Sequence, residues 1–229
     1  MQKEVTVLIL CGGKGERLRP LTHNIPKPLI RVNKKPILSY IFDHLTKYNL
    51  NDFVIATGYK SHKIEDYLQQ MKPKFRYRIV DSGDVDIIQR IKDASVYIKN
   101  DFMVLYGDTI SDIDISNLIK FHRSHNNLIT ITVWPLKTQF GLVEISEDSH
   151  VISFQEKPIL GKWINIGYFY FNFEMMQMIN QYDTFEELLI ASSKQKLLSA
   201  YKHNNMHLTI NNLSELNEAD EELNKLIGI

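Results

Sequence analysis

The stretch from Leu8 to Leu29, LILCGGKGERLRPLTHNIPKPL, constrains this chain more than any other. Val5 to Cys11 is an apolar, β-branched run of strand length that passes directly into Gly12, Gly13 and Gly15. Residues without a Cβ accept positive φ, so the backbone can turn sharply there and bring successive N–H groups onto an anion. Lys14, Arg17 and Lys27 add charge. Arg17 is planar and always protonated, which suits a pyrophosphate, whereas Lys27 is a compact point charge held on stiff backbone by Pro26 and Pro28. Two better-known glycine motifs do not fit. A P-loop fails because Gly13-Lys14 is followed by Gly15, and the dinucleotide fingerprint fails because Leu18 stands at its third glycine. The string reads as a strand, a phosphate-binding loop and a basic clamp.

Further along, Phe53 to Ala56, Tyr77 to Val80, Phe102 to Tyr106 and Leu128 to Val133 read as strands. Between them Ile37, Leu38, Ile41, Leu45 and Tyr48 repeat at helical spacing, as do Ile87, Ile88, Ile91 and Val96, and Leu118, Ile119 and His122. This alternation predicts an α/β fold, a largely parallel sheet with helices on both faces. In such sheets a ligand sits beyond the carboxyl ends of the strands, which puts the loops after Cys11 and Tyr106 at one crevice. Gly107-Asp108 follows Tyr106, so Asp108 is the candidate metal ligand: Mg²⁺ brought by a triphosphate needs only one or two carboxylates beside phosphate and water oxygens. Asp112 and Asp114 are expected to cap a helix near Ile115. The 229 residues, 44% hydrophobic, show no linker or low-complexity run and are expected to form one domain over 1–229. Equal counts of 27 basic and 27 acidic residues give no field that would draw nucleic acid or an anionic membrane. Cys11 is the only cysteine and no apolar run reaches the length of a membrane span. Val5 to Cys11 lacks a small-residue cleavage pattern and reads as the first strand rather than a secretory leader, so a cytoplasmic setting is expected.

The combination Gly12-Gly13, Gly15-Glu16-Arg17-Leu18, Pro20-Leu21-Thr22 and Pro26-Lys27-Pro28-Leu29 resembles the signature of the sugar-1-phosphate nucleotidyltransferases. GYKSHKIEDYL from Gly58, VDSGD from Val80, YGDTISDIDI from Tyr106, FHRSH from Phe121, SFQEKP from Ser153 and INIGYFYFN from Ile164 occur in the order found in the glucose-1-phosphate cytidylyltransferases of that family. The resemblance covers residues 5–172 and implies a Rossmann-like three-layer αβα sandwich with a mixed, mostly parallel sheet. It also implies roles. Arg17, Lys27 and Lys157 would be catalytic; Leu10, Gly12, Gly13, Gly15, Asp81, Gln89 and Gly107 would bind a nucleoside triphosphate, CTP being expected; Gly141, Glu156, Asn165 and Gly167 would bind a phosphorylated small-molecule acceptor; Asp108 would hold Mg²⁺. The implied chemistry is direct displacement: the acceptor's phosphate oxygen attacks the α-phosphorus and pyrophosphate leaves. A phosphate monoester is already an anion at neutral pH, so no base is required, and His23, His44, His122 and His125 read as surface or helix-face residues.

Two segments depart from the family pattern. Asp86-Ile87-Ile88-Gln89 stands where relatives place a glycine-containing base loop, leaving Gln89 and Arg90 as base-contact candidates beside a plain amphipathic helix start. His207 to Leu213 carries no carboxylate where relatives supply a second metal-binding aspartate, leaving Thr209 or Asn211 as neutral oxygen donors. A last helix is expected over Ser214 to Ile227. Three readings therefore stand: a cytidylyltransferase acting on a hexose 1-phosphate, the same chemistry with another base or another acceptor such as a heptose or non-sugar phosphate, and a non-catalytic nucleotide-sugar-binding homologue. Trp163, Tyr168, Tyr170 and Phe173 suit either a core strand or a homo-oligomer interface.

Overall fold

The computed structural model describes residues 5–227; the outermost residues of the expected 1–229 domain lie outside that range. In chain order the first half comprises β1 (Thr6–Leu10), β2 (Arg31–Val32), β3 (Lys35–Pro36), α1 (Ile37–Thr46), β4 (Asp52–Thr57), α2 (Ser61–Met71), β5 (Arg76–Asp81), α3 (Ile87–Ala94), β6 (Phe102–Tyr106), β7 (Thr109–Ser111) and α4 (Ile115–Ser124). The second half comprises β8 (Ile129–Lys137), β9 (Leu142–Ile145), β10 (Val151–Gln155), β11 (Ile159–Phe171), α5 (Met175–Ile179), α6 (Phe185–Lys194), β12 (Leu198–Lys202), β13 (His207–Thr209) and α7 (Leu213–Ile227).

Seven strands form the central sheet in the order β12-β8-β11-β6-β1-β4-β5. All neighbours are parallel except β11, which runs antiparallel to both β6 and β8. Strand alternation divides the core into two layers. Val7, Ile9, Phe53, Ile55, Met103, Leu105, Tyr168 and Tyr170 point to one face, where Ile37, Ile41, Ile64, Leu68, Ile115, Leu118 and Leu223 of α1, α2, α4 and α7 cover them. Leu8, Val54, Ala56, Phe102, Val104, Phe169 and Phe171 point to the other, against Ile88, Ile91, Met175, Ile179, Phe185 and Leu188 of α3, α5 and α6. The molecule is thus a Rossmann-like three-layer αβα sandwich with a mixed, mostly parallel sheet. The expected strands and helices are present; α2, α5, α6, the long β11 and the short strands lie outside the periodicity of the sequence analysis. No described helix is long and apolar enough to cross a membrane.

Several local expectations are corrected. Asp114 caps α4, accepting from Asn117 N at 2.9 Å, but Asp112 does not cap: its Oδ1 lies 3.1 Å from His203 Nε2. α7 begins at Leu213 with Asn212 as its cap, Asn212 Oδ1 accepting from Glu215 N. His122 is a core residue, its ring nitrogens 2.8 Å from Thr130 Oγ1 and Asn172 Oδ1. Tyr168 and Tyr170 are buried, whereas Trp163 and Phe173 are exposed. β9 and β10 form a separate two-stranded arm beside the outer half of β11.

One side chain fixes the strand ends where the sheet meets the glycine loop. Arg90, buried on α3, donates to the carbonyls of Thr57, Gly83 (2.8 Å) and Gly12 (3.4 Å). A Cβ on Gly12 would lie 2.0 Å from the Arg90 Cζ, and one on Gly58 would lie 2.8 Å from its NH1. Gly12 therefore makes room for the guanidinium, and Gly58 for both the guanidinium and the Gly83 carbonyl oxygen, 2.2 Å from the same position. Gly12→Ala is expected to cost about 1–3 kcal/mol by overpacking and clearly less in an Arg90→Met background, as denaturant unfolding of the four proteins of that double-mutant cycle will measure.

Burial also sets an acid limit. It lowers the pKa values of His44 and His122 and, helped by neighbouring His203, takes His207 down to about 4. The buried Nδ1 of His207 has no hydrogen-bond partner. Above the ordinary histidine value of 6.5 both folded and unfolded chains are neutral there. As pH falls from 6.5 toward about 4 the unfolded chain takes up a proton that folded His207 does not, and stability is lost. The slope should approach ~1.4 kcal/mol per pH unit for each such histidine, and His207→Leu should flatten it by about one proton in pH-dependent denaturant titrations.

Candidate active site

At the carboxyl ends of β1, β4, β5 and β6 lies a crevice of about 630 Å³. Its wall includes Leu10, Gly12, Gly13 and Gly15 from the glycine loop, Arg17 and Lys27 from the clamp, and Gly107 and Asp108 after β6. These eight residues are brought together as the sequence leads one to expect. Gly15 adopts a left-handed φ of 61°, and its carbonyl accepts from Thr22 Oγ1 at 2.9 Å, folding the clamp back onto the loop. Gly107 N donates to Leu10 O at 3.0 Å, and a Cβ at Gly107 would lie 2.7 Å from the Cys11 Sγ, so the two strand ends pack directly. Burial pushes the Cys11 thiol up, keeping it protonated and unsuited to act as a nucleophile.

Lys27 is the centre of the charge arrangement. Only 8% exposed, it sits in a single helical turn between Pro26 and Pro28 and donates to Asp108 Oδ2 at 2.5 Å and to Asn211 Oδ1 at 3.0 Å. Arg17 NH2 also donates to Asn211 Oδ1, at 3.0 Å. Asn211 reaches this place because β13 pairs antiparallel with β7, Thr209 opposite Thr109, which sets the residues after β13 beside Asp108 just before β7. Asp108 is a hard oxygen donor of the kind Mg²⁺ prefers, whereas the Asn211 Oδ1 expected as a neutral donor is already taken up by Arg17 and Lys27. Among the described residues no group of three His, Cys, Asp or Glu side chains gathers that could hold an ion unaided.

Other expected site residues lie elsewhere. The Asp81 carboxylate accepts from Gly83 N at 3.0 Å in a turn and does not line the crevice. Gln89 points its amide to Asp93 at 2.7 Å on the exposed side of α3; the base-contact candidate Arg90 does line the crevice, but its guanidinium is committed to backbone carbonyls. Beside Arg90 the crevice wall carries Asp84, Val85, Asp86 and Ile87. Asp86 and Ile87 belong to the stretch that stands in place of the base loop, whereas nothing singles out Asp84 and Val85 except their position after a parallel strand. Lys14 pairs with Asp84 at 2.5 Å across the mouth.

A second cavity of about 390 Å³ shares Asp86, Ile87 and Tyr106 with the first and adds Thr184, Phe185, Glu186, Leu189 and Ile190. Asn165 and Gly167 border Tyr106: Asn165 Nδ2 lies 3.5 Å from its hydroxyl, and a Cβ on Gly167 (φ 76°) would lie 2.3 Å from its ring. Glu156 and Lys157 stand on the exposed arm outside both cavities, Glu156 against Gly141, where a Cβ would come 3.0 Å from the carboxylate. Lys157 holds a left-handed φ of 45°.

A nucleotidyl transferase family model matches residues 6–213. The glucose-1-phosphate cytidylyltransferase of Salmonella typhi is 32% identical over 225 residues, spanning 86% of this chain and 87% of that protein. The D-glycero-alpha-D-manno-heptose 1-phosphate guanylyltransferase of Campylobacter jejuni is 34% identical over 154 residues, spanning 66% and 67%. Among solved structures, HddC from Yersinia pseudotuberculosis superposes with a TM-score of 0.74 at 25% identity, covering 96% of this chain and 99% of that one. With the glycine loop, the clamp and Asp108 in one crevice and the family matched over most of its length, the chain belongs to the nucleotidyl transferase family, among the sugar-1-phosphate nucleotidyltransferases.

Proposed function

We propose that this chain transfers CMP from CTP to a sugar 1-phosphate, releasing pyrophosphate. The observation that carries the reading is the convergence of Arg17, Lys27 and Asp108 on a glycine-walled crevice beside a second, smaller cavity. The triphosphate takes the larger one, its phosphates against the loop N–H groups, Arg17 and Lys27. The acceptor takes the smaller one, with Asn165, held beside the lining residue Tyr106, offering donor and acceptor groups to hydroxyls and Gly167 leaving room for the Tyr106 ring. CTP is favoured by the likeness to the Salmonella typhi cytidylyltransferase. The Campylobacter jejuni guanylyltransferase supports a second reading, GTP with a heptose 1-phosphate.

In the reaction an acceptor phosphate oxygen forms a bond to the α-phosphorus as the bond to the bridging oxygen of the leaving pyrophosphate breaks. The nucleophile arrives as an anion, so the residues act by holding two anions in line rather than by moving a proton. Arg17 stabilises the charge gathering on pyrophosphate, and Lys27, preset by Asp108 and Asn211, steadies the reacting phosphates. Lys157, on the arm, would meet the acceptor phosphate. Asp108 is the residue that would hold Mg²⁺, whose part when bound is to neutralise phosphate charge.

Pyrophosphate release will be measured for CTP, UTP, dTTP, GTP and ATP against a panel of sugar 1-phosphates and other phosphorylated metabolites. CTP with a hexose 1-phosphate is expected to turn over fastest. Turnover only with GTP and a heptose 1-phosphate would install the second reading, and nucleotide binding without turnover anywhere would favour a binding homologue. In the active pair, Arg17→Ala should lower kcat about 10²-fold or more. Lys157→Ala should raise the acceptor KM roughly tenfold with nucleotide affinity unchanged; an unaltered acceptor KM would remove Lys157 from the site.

A further inference from the structure

One amide oxygen joins the two cations of the crevice. Asn211 Oδ1 accepts from both Arg17 NH2 and Lys27 Nζ, each at 3.0 Å. An amide oxygen has two lone pairs, and both are engaged here. Asn211 itself is held by the start of α7: its N–H donates to Glu215 Oε2 at 2.9 Å, while Glu215 Oε1 accepts from Asn212 Nδ2 at 2.8 Å. Against these two cations the structure sets a single carboxylate, Asp108, bonded to Lys27. The other carboxylates of the crevice wall have partners of their own. Glu16 pairs with Arg19, Asp84 with Lys14, and Asp86 caps α3 through Ile88 N. The unit formed by Arg17, Lys27, Asp108 and Asn211 therefore carries an excess positive charge, and the neutrality of residue 211 is what preserves it.

We propose that Asn211 makes Arg17 and Lys27 one preorganised dication, so that this chain grips polyphosphate through its own side chains and depends on a divalent cation for that step less than it would with a carboxylate at 211. The inference rests on the reading of the crevice as a triphosphate site. A neutral amide positions both cations without neutralising either. The isosteric carboxylate of Asn211→Asp would keep the geometry but bring charges to balance, weakening the attraction for a bare polyanion and adding a second anionic oxygen donor for a metal ion. Asn211 is thus a positioning residue that distributes phosphate binding between side chains and metal.

The test uses inorganic pyrophosphate as probe, titrated calorimetrically into the full chain in EDTA and again in Mg²⁺. Wild type is expected to bind in EDTA. Asn211→Asp should lose roughly tenfold or more of that affinity, and with pyrophosphate present it should bind Mn²⁺ more tightly than wild type by electron paramagnetic resonance. Asn211→Ala, which removes the tie without adding charge, should lose only about threefold in EDTA and gain nothing for Mn²⁺. Should Asn211→Asp fail to melt as a folded protein, the wild-type comparison between EDTA and Mg²⁺ still decides the inference. Wild-type binding that appears only with Mg²⁺, or an Asn211→Asp protein with undiminished affinity in EDTA, overturns the inference and leaves the crevice a phosphate site. No pyrophosphate binding in either medium overturns the functional reading with it.

Discussion

The crevice depends on a buried guanidinium that rests on backbone. Arg90 bonds to three carbonyls at the ends of three different parallel strands, that of Thr57 at the end of β4 and those of Gly12 and Gly83 in the loops after β1 and β5. Neighbouring strands bond to each other along their lengths, but at their carboxyl ends the ladder gives way to single bonds: Gly12 O accepts from Tyr59 N at 3.1 Å and Thr57 O from Ser82 N at 3.2 Å, each with a lone pair to spare. One planar cation with five donors ties these strand ends together at several points at once. Its charge is removed from solvent in doing so, and burial lowers its pKa from the ordinary arginine value, with the carboxylates of Asp81 and Asp84 opposing the shift. The phosphate loop, the turn after β4 and the segment before α3 are thereby fixed relative to one another. Arg17, Lys27 and Asp108 then have a wall to project from.

The same contact explains why the sequence was legible in part. The glycine loop, the prolines around Lys27 and the apolar runs were readable because each follows from local chemistry: strand alternation, positive φ and restricted backbone. Gly12 was read as a turn glycine. Its absent side chain answers instead to an arginine 78 residues away. Nothing local announces such a debt to a distant residue, and for the same reason Arg90 appeared as a base contact and Gln89 beside it as another. Asp112 and Asp114 look alike in sequence, yet only Asp114 caps α4, because Asp112 meets His203 across the fold. His122 lies on a helical repeat that the periodicity included, but its burial depended on two polar partners, Thr130 and Asn172, supplied by other elements.

The arm formed by β9 and β10 shows where local reading stops. Val143 lies opposite Phe154 and Ile145 opposite Val151, so these four share one face of the ribbon, while Glu144 and Ser153 share the other and are hydrogen-bonded. All four apolar residues are exposed. The alternation is that of a half-buried strand, and it is visible in the sequence, but it cannot say which surface receives it. Glu156 and Lys157 occupy the end of this arm, so their distance from the crevice is a property of the arm's position rather than of their motif.

The short ladder between β7 and β13 has a further consequence for how the protein comes into being. Arg17, Lys27 and Asp108 belong to the first half of the chain, and the sheet segment β1, β4, β5 and β6 that carries their loops is also complete there. Asn211 arrives only when β13 docks on β7, roughly a hundred residues later, and α7 then fixes it through Glu215. At ordinary translation speeds of about 5–20 residues per second, that interval lasts several seconds. A nascent chain would spend it with its glycine loop and clamp formed but its two cations not yet joined, so the last strand to pair is also the one that completes the charge arrangement.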